Sequence, residues 1–108
     1  MISPYVLKFY KHQELTTRID NGKQLKYLLM TYENENKIFP LTLTVFNEDI
    51  EKINLNKSKN TKIDISTWQY TRPQQEFSAN KALLVSELKK QNIKVVVYQD
   101  GRAVAIDN

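Results

Sequence analysis

Glycine is the scarcest residue for shaping this backbone: in 108 residues it occurs only at Gly22 and Gly101. Each follows a turn-forming residue, giving Asn21-Gly22 and Asp100-Gly101. Asn and Asp tolerate positive φ, and Gly adopts it without steric penalty, as both central positions of a two-residue type I′ hairpin turn require. The two dipeptides therefore predict two hairpins, one in each half of the chain. The same scarcity excludes the phosphate-binding P-loop, the dinucleotide fingerprint and the G-x-S-x-G nucleophile elbow, each of which needs a close pair of glycines.

In the first half, residues 5–10 alternate Tyr5, Leu7 and Phe9 against Val6, Lys8 and Tyr10, the pattern of a strand. The turn at Asn21-Gly22 would pair residues 15–20 with 23–28, setting Asp20 opposite Lys23. The competing arrangement is a helix over residues 15–32 with Gly22 inside it, at a cost of ~1 kcal/mol relative to alanine. A second turn at residues 34–36 would lead into a strand in which Leu41, Leu43 and Val45 alternate with Thr42, Thr44 and Phe46. Pro40 lacks a ladder donor and marks an edge or the strand's beginning. Asn47 then reads as the N-cap of a short helix, with Glu48, Asp49 and Glu51 near its start and Lys52 further on, as the helix dipole favours.

In the second half, Ile63, Ile65 and Thr67 alternate with Asp64, Ser66 and Trp68, a strand that ends before Arg72-Pro73. Ser78 would cap a helix over residues 78–91, with Leu84, Val85 and Leu88 as its apolar stripe and Asn92 as its end. Residues 93–99 and 102–106 flank Asp100-Gly101. A two-residue turn there pairs Val97 with Val104, Val95 with Ile106 and Lys94 with Asp107.

These elements predict a small single α+β domain over residues 1–108, with a mainly antiparallel sheet. The sheet comprises an N-terminal meander and a C-terminal β-hairpin, with one short helix near 48–55 and a longer one near 78–91. The order of three strands, a short helix and a strand resembles the five-stranded oligonucleotide-binding barrel in topology, and the terminal helix and hairpin resemble the end of a winged-helix domain.

Sixteen Lys and Arg against twelve Asp and Glu give a net charge of +4, and the distribution is uneven. Residues 1–54 hold seven of each sign, whereas residues 55–108 hold nine basic and five acidic side chains. Lys52, Lys57, Lys59 and Lys62 follow one another with no acid between them. Such a basic pole suits a polyanion, although the Lys-, Asn- and Ile-rich composition also matches AT-rich coding. The chain contains no cysteine and one histidine, His12, so disulfides, thiolate sites and multi-histidine zinc sites are excluded. No secretory signal or spanning apolar run is visible, so a soluble, cytoplasmic protein without membrane association is expected.

The chemistry-bearing cluster is Trp68, Tyr70 and Arg72, just after Lys57, Lys59 and Lys62. On the strand reading, Trp68 and Tyr70 share a face with Asp64 and Ser66, while Ile63 and Ile65 serve the core. Two aromatics beside an arginine would form a stacking platform for unpaired bases, with the lysines on phosphates. The bland reading makes Trp68 a core anchor and the lysines a solvated loop. His12 marks at most a remote ribonuclease-like reading, and Glu48, Asp49 and Glu51 are explained by a helix start rather than a metal. No catalytic set, metal or cofactor is therefore expected. The leading expectation is a non-sequence-specific, single-strand-preferring nucleic-acid-binding accessory protein. The alternative is a protein-interaction module, an inhibitor or regulatory subunit, that pairs through an exposed sheet edge.

Overall fold

A computed structural model describes residues 4–73 and 78–107, with side chains in the first helix from residue 13 onward. It is an α+β arrangement of two helices and a four-stranded antiparallel sheet. Helix α1 spans Pro4–Asn36 and α2 spans Asn47–Asn54. The strands are β1 (Gln69–Tyr70), β2 (Ala82–Leu88), β3 (Ile93–Tyr98) and β4 (Ala103–Asp107), in sheet order β1-β2-β3-β4.

The first half is thus helical where strands were expected, residues 5–10 included. Leu15, Ile19, Gly22, Leu25, Leu29 and Tyr32 follow one another at intervals of three or four residues and lay one stripe along α1. Leu25 and Leu29 are fully buried in the core, with Leu15, Ile19 and Tyr32 packed against it. Gly22 sits inside the helix because the helix crosses the sheet there. A Cβ on Gly22 would lie 2.7 Å from the Trp68 ring and 2.9 Å from the Val97 methyl Cγ2. Tertiary contact, not turn formation, is what requires glycine at this position.

Lys37 ends α1 with φ 67°, and its N–H bonds to the Glu33 carbonyl, a left-handed terminus built without glycine. The expected strand around residues 41–46 is replaced by a 3-10 turn at Leu43–Phe46. A period of three buries Leu43 and Phe46 together and leaves Leu41 and Val45 exposed. That turn runs directly into α2, so Asn47 continues the helical path and Phe46 takes the N-cap position. Asn54, at the end of α2, grips Ile63 through both backbone groups, at 3.0 and 2.8 Å.

The helix expected over residues 78–91 is instead strand β2 followed by a 3-10 turn at Lys89–Gln91. Leu84 and Leu88 lie on one face at either a helical or a strand period, so their spacing does not distinguish the two. Pairing along the whole of β3 decides for the strand. The C-terminal hairpin forms as expected, but its register is shifted by one. Val97 opposes Ala103, Val96 opposes Val104 and Val95 opposes Ala105. The loop has three residues, with the Tyr98 N–H on the Arg102 carbonyl at 2.8 Å and Gly101 at φ 96°. Val95 and Val97 are therefore buried against α1, whereas Val104 and Ile106 lie half-buried on the opposite face.

Neither the oligonucleotide-binding barrel nor the winged helix describes this topology, in which one long helix covers one face of a meander. Gly22→Val should lower stability by at least ~2 kcal/mol in urea denaturation, since the added side chain overpacks two rigid buried neighbours. Preserved stability would show that α1 does not lie this close to Trp68.

Candidate functional site

The six residues expected to form a nucleic-acid surface do not share one exposed face. Trp68 is buried at 6% exposure beneath Gly22. The cause is local: the Asp64 carboxylate accepts from the Ser66 N–H at 3.0 Å and the Ser66 hydroxyl at 2.6 Å, nucleating a 3-10 turn at Ile65–Thr67. The strand alternation is broken there, and both Ile63 and Trp68 face the core. Tyr70 is half-buried, and its hydroxyl donates to the Pro40 carbonyl at 2.7 Å. Arg72 is exposed, but its Nε donates to the Phe39 carbonyl at 3.0 Å. The last two side chains brace the segment after α1, and with Trp68 buried the three form no stacking platform.

The lysines divide. Lys57 is a structural cation, donating to Asn21 Oδ1 at 2.9 Å and Gln24 Oε1 at 2.8 Å on α1. Burial lowers its pKa, opposed by the nearby Asp20 carboxylate. Asn21, itself buried, also donates to the Thr61 and Lys62 carbonyls at 3.4 and 3.3 Å. Lys59 and Lys62 remain exposed. The side chain of His12 lies outside those described, and Glu48, Asp49 and Glu51 are exposed on α2. Among the described residues no group of three His, Cys, Asp or Glu is arranged to hold a metal. No helix among them is long and apolar enough to cross a membrane.

Two features lie outside the expected cluster. One is an open cleft of about 810 Å³ between residues 13–21 of α1 and residues 58–67. Arg18 lines it, with one guanidinium nitrogen on the Ser86 hydroxyl, which in turn donates to the Thr67 carbonyl at 2.7 Å. The other is the outer edge of β4. Tyr98 and Arg102 form a hydrogen-bonded pair, so the alternation of an antiparallel ladder makes Val97–Ala103 and Val95–Ala105 the non-bonded pairs. The N–H and C=O groups of Ala103, Ala105 and Asp107 accordingly point away from β3. Among the described residues no strand pairs with them.

β4 contains no proline, lysine or bulge, the usual devices that blunt an edge. The opposite edge is protected by its shortness, since β1 has two residues and Pro73 follows soon after. On the sheet's outer face, Val85, Val96 and Val104 line up across β2, β3 and β4. The cleft escaped the sequence reading because its walls come from distant segments. The β4 edge was visible there only as a terminal hairpin.

No family model matches the chain, and neither does any curated protein or solved structure.

Two outcomes test the structural roles assigned here. Lys57→Met should cost ~1–3 kcal/mol in urea denaturation, because the buried Asn21 carbonyl oxygen loses a charged donor, whereas Lys59→Met should stay within about 0.5 kcal/mol. The Tyr70 hydroxyl is pushed up to about 12 by burial, with Arg72 opposing and Tyr32 adding a smaller push. Its raised pKa contributes stability that is complete below pH ~10 and lost as pH rises towards 12. Tyr70→Phe should flatten that alkaline loss in thermal melts.

Proposed function

We propose that this protein is an interaction module, of the inhibitor or regulatory-subunit kind, that binds an extended segment of a partner protein by strand addition to β4. The observation that carries this reading is the unblunted edge of Ala103–Asp107, whose outward backbone groups alternate with Val104 and Ile106. In strand addition the backbone bonds supply affinity, and alternate side chains supply selectivity. A partner strand laid beside β4 would extend the sheet and place its own alternate residues next to Val104 and Ile106, both half-buried in the free chain. An apolar residue fits best beside Val104, because its row with Val85 and Val96 is apolar, whereas Ile106 is in line with Lys94 and Glu87.

A second reading, a polyanion-binding protein acting on nucleic acid, is supported by the exposed Lys59 and Lys62 together with the +4 charge. It now rests on charge without base stacking, so it predicts a steep salt dependence and little strand or sequence preference.

Ala105→Pro separates the two. It removes an outward N–H while leaving the β3–β4 bonds in place, and Ile106→Lys adds a charge to the outer face without touching the backbone. Affinity purification from the native host should recover a protein partner with the natural chain and lose it with both variants, each checked for folding by circular dichroism. Recovery of the same partner by both variants would sink the strand-addition reading. Recovery of nucleic acid alone, lost on Lys59→Gln and Lys62→Gln, would favour the second.

A further inference from the structure

The cleft between α1 and residues 58–67 is not used by the interaction reading, and among the described residues its Arg18 forms no ion pair. Arg18 is half-buried in it. Among the described residues its guanidinium bonds only to the neutral Ser86 hydroxyl, and no carboxylate lies within ion-pair distance. A guanidinium has five N–H donors in a planar fork matched to the oxygens of a phosphate or carboxylate. Two acids also line the cleft and equal the cations in number, and neutral donors hold both carboxylates in place. Glu14 accepts from the Gln91 amide at 3.0 Å, and Asp64 caps the turn at Ile65–Thr67. Lys62 adds a second cation to the same lining.

The wall opposite α1 is fixed before any ligand arrives. Asn21 holds the Thr61 and Lys62 carbonyls, and Ser58 and Thr61 bond to each other through backbone and side chain. Around the two cations the remaining lining is mostly hydroxyl and amide, from Thr16, Thr17, Ser58, Asn60 and Thr67 among others. The volume, about 810 Å³, falls within the range of small-molecule sites, ~300–1,000 Å³. The walls present carbon as well as polar atoms, which suits a ligand with C–H faces between its polar groups.

We infer that this cleft binds a small phosphorylated polyol, with the phosphate on Arg18 and Lys62 and the ligand's hydroxyls on the threonine, serine and asparagine walls. The fork of Arg18 takes two phosphate oxygens, and Lys62 contributes a point charge. The anchoring of Arg18 on Ser86 keeps the fork oriented at little entropic cost. Ser58, Thr61 and Thr67 donate their hydroxyl protons within the wall and so present lone pairs, which a sugar's hydroxyls can donate to and a bare anion cannot.

Ribose 5-phosphate, ribose and inorganic phosphate serve as probes in calorimetric and NMR titrations of the full chain. Ribose 5-phosphate should bind saturably and at least tenfold more tightly than either fragment, with shifts at Thr16, Thr17 and Thr61. Lys62→Gln, a change at an exposed side chain, should weaken it several-fold, and Arg18→Lys should weaken it more because charge is kept while the fork is lost. Lys59→Gln should leave affinity unchanged. Absence of saturable binding by any probe overturns the proposal, as does binding that survives both Arg18→Lys and Lys62→Gln. Equal affinity for inorganic phosphate and ribose 5-phosphate overturns the polyol assignment.

Discussion

The close crossing of α1 over Trp68 and Val97 at Gly22 sets the geometry of the whole molecule. A helix can approach a sheet this closely only where its side chain is a hydrogen. That approach lets Leu25 and Leu29, one and two turns later, reach the same cluster as Leu84, Val95 and Val97. It also explains how a chain this short closes a core with one sheet face covered: the helix lies low enough for its stripe to fill the space directly. The intrinsic helix cost of glycine, ~1 kcal/mol, is small beside the several large side chains whose burial depends on it.

Polar residues flank the crossing on either side, and they fix the helix's rotation. Asn21 and Ser86 are the two buried polar residues among those described, and each is fully engaged. Asn21 ties α1 to the 57–62 segment through Lys57 and two carbonyls. Ser86 ties β2 to both Arg18 and the Thr67 carbonyl. An unmet partner at either position would cost ~1–3 kcal/mol, so any other rotation of α1 is penalised twice. One cation of the lysine-rich run is consumed in this scaffold, while Lys59 and Lys62 remain available at the surface.

What could be read in the sequence was what local chemistry decides. Asp100-Gly101 marked the terminal hairpin, and the acids at 48 and 49 with Lys52 marked α2. Val95 and Val97 were identifiable as core. The failures share a cause, a local signal overruled by a distant partner. Asn21-Gly22 is a strong turn dipeptide, but its asparagine is needed for a carbonyl clamp and its glycine for clearance. Leu84 and Leu88 are four apart, a spacing common to helix and strand, and only β3 resolves it. Counting alternate residues from Ile63 to Tyr70 placed Trp68 on a solvent face because the turn made by Asp64 and Ser66 resets the count. Arg18 did not stand out because a strand over residues 15–20 points successive side chains to opposite faces, whereas the helix gathers residues 13–18 beside a loop some forty residues away.

The molecule measures 53 × 32 × 17 Å, and its long axis matches a 33-residue helix, ~50 Å at 1.5 Å per residue. A body so thin has a seam where a thicker one has a centre. The helix's buried leucines, Val95 and Val97 of the sheet and Ile50 of α2 meet in that one seam. Lifting α1 away would strip every one of them of a partner at once, leaving no smaller core for the sheet to fall back on. Unfolding should therefore be all-or-none, with amides in the middle of α1 and in β3 exchanging with solvent only through the global transition.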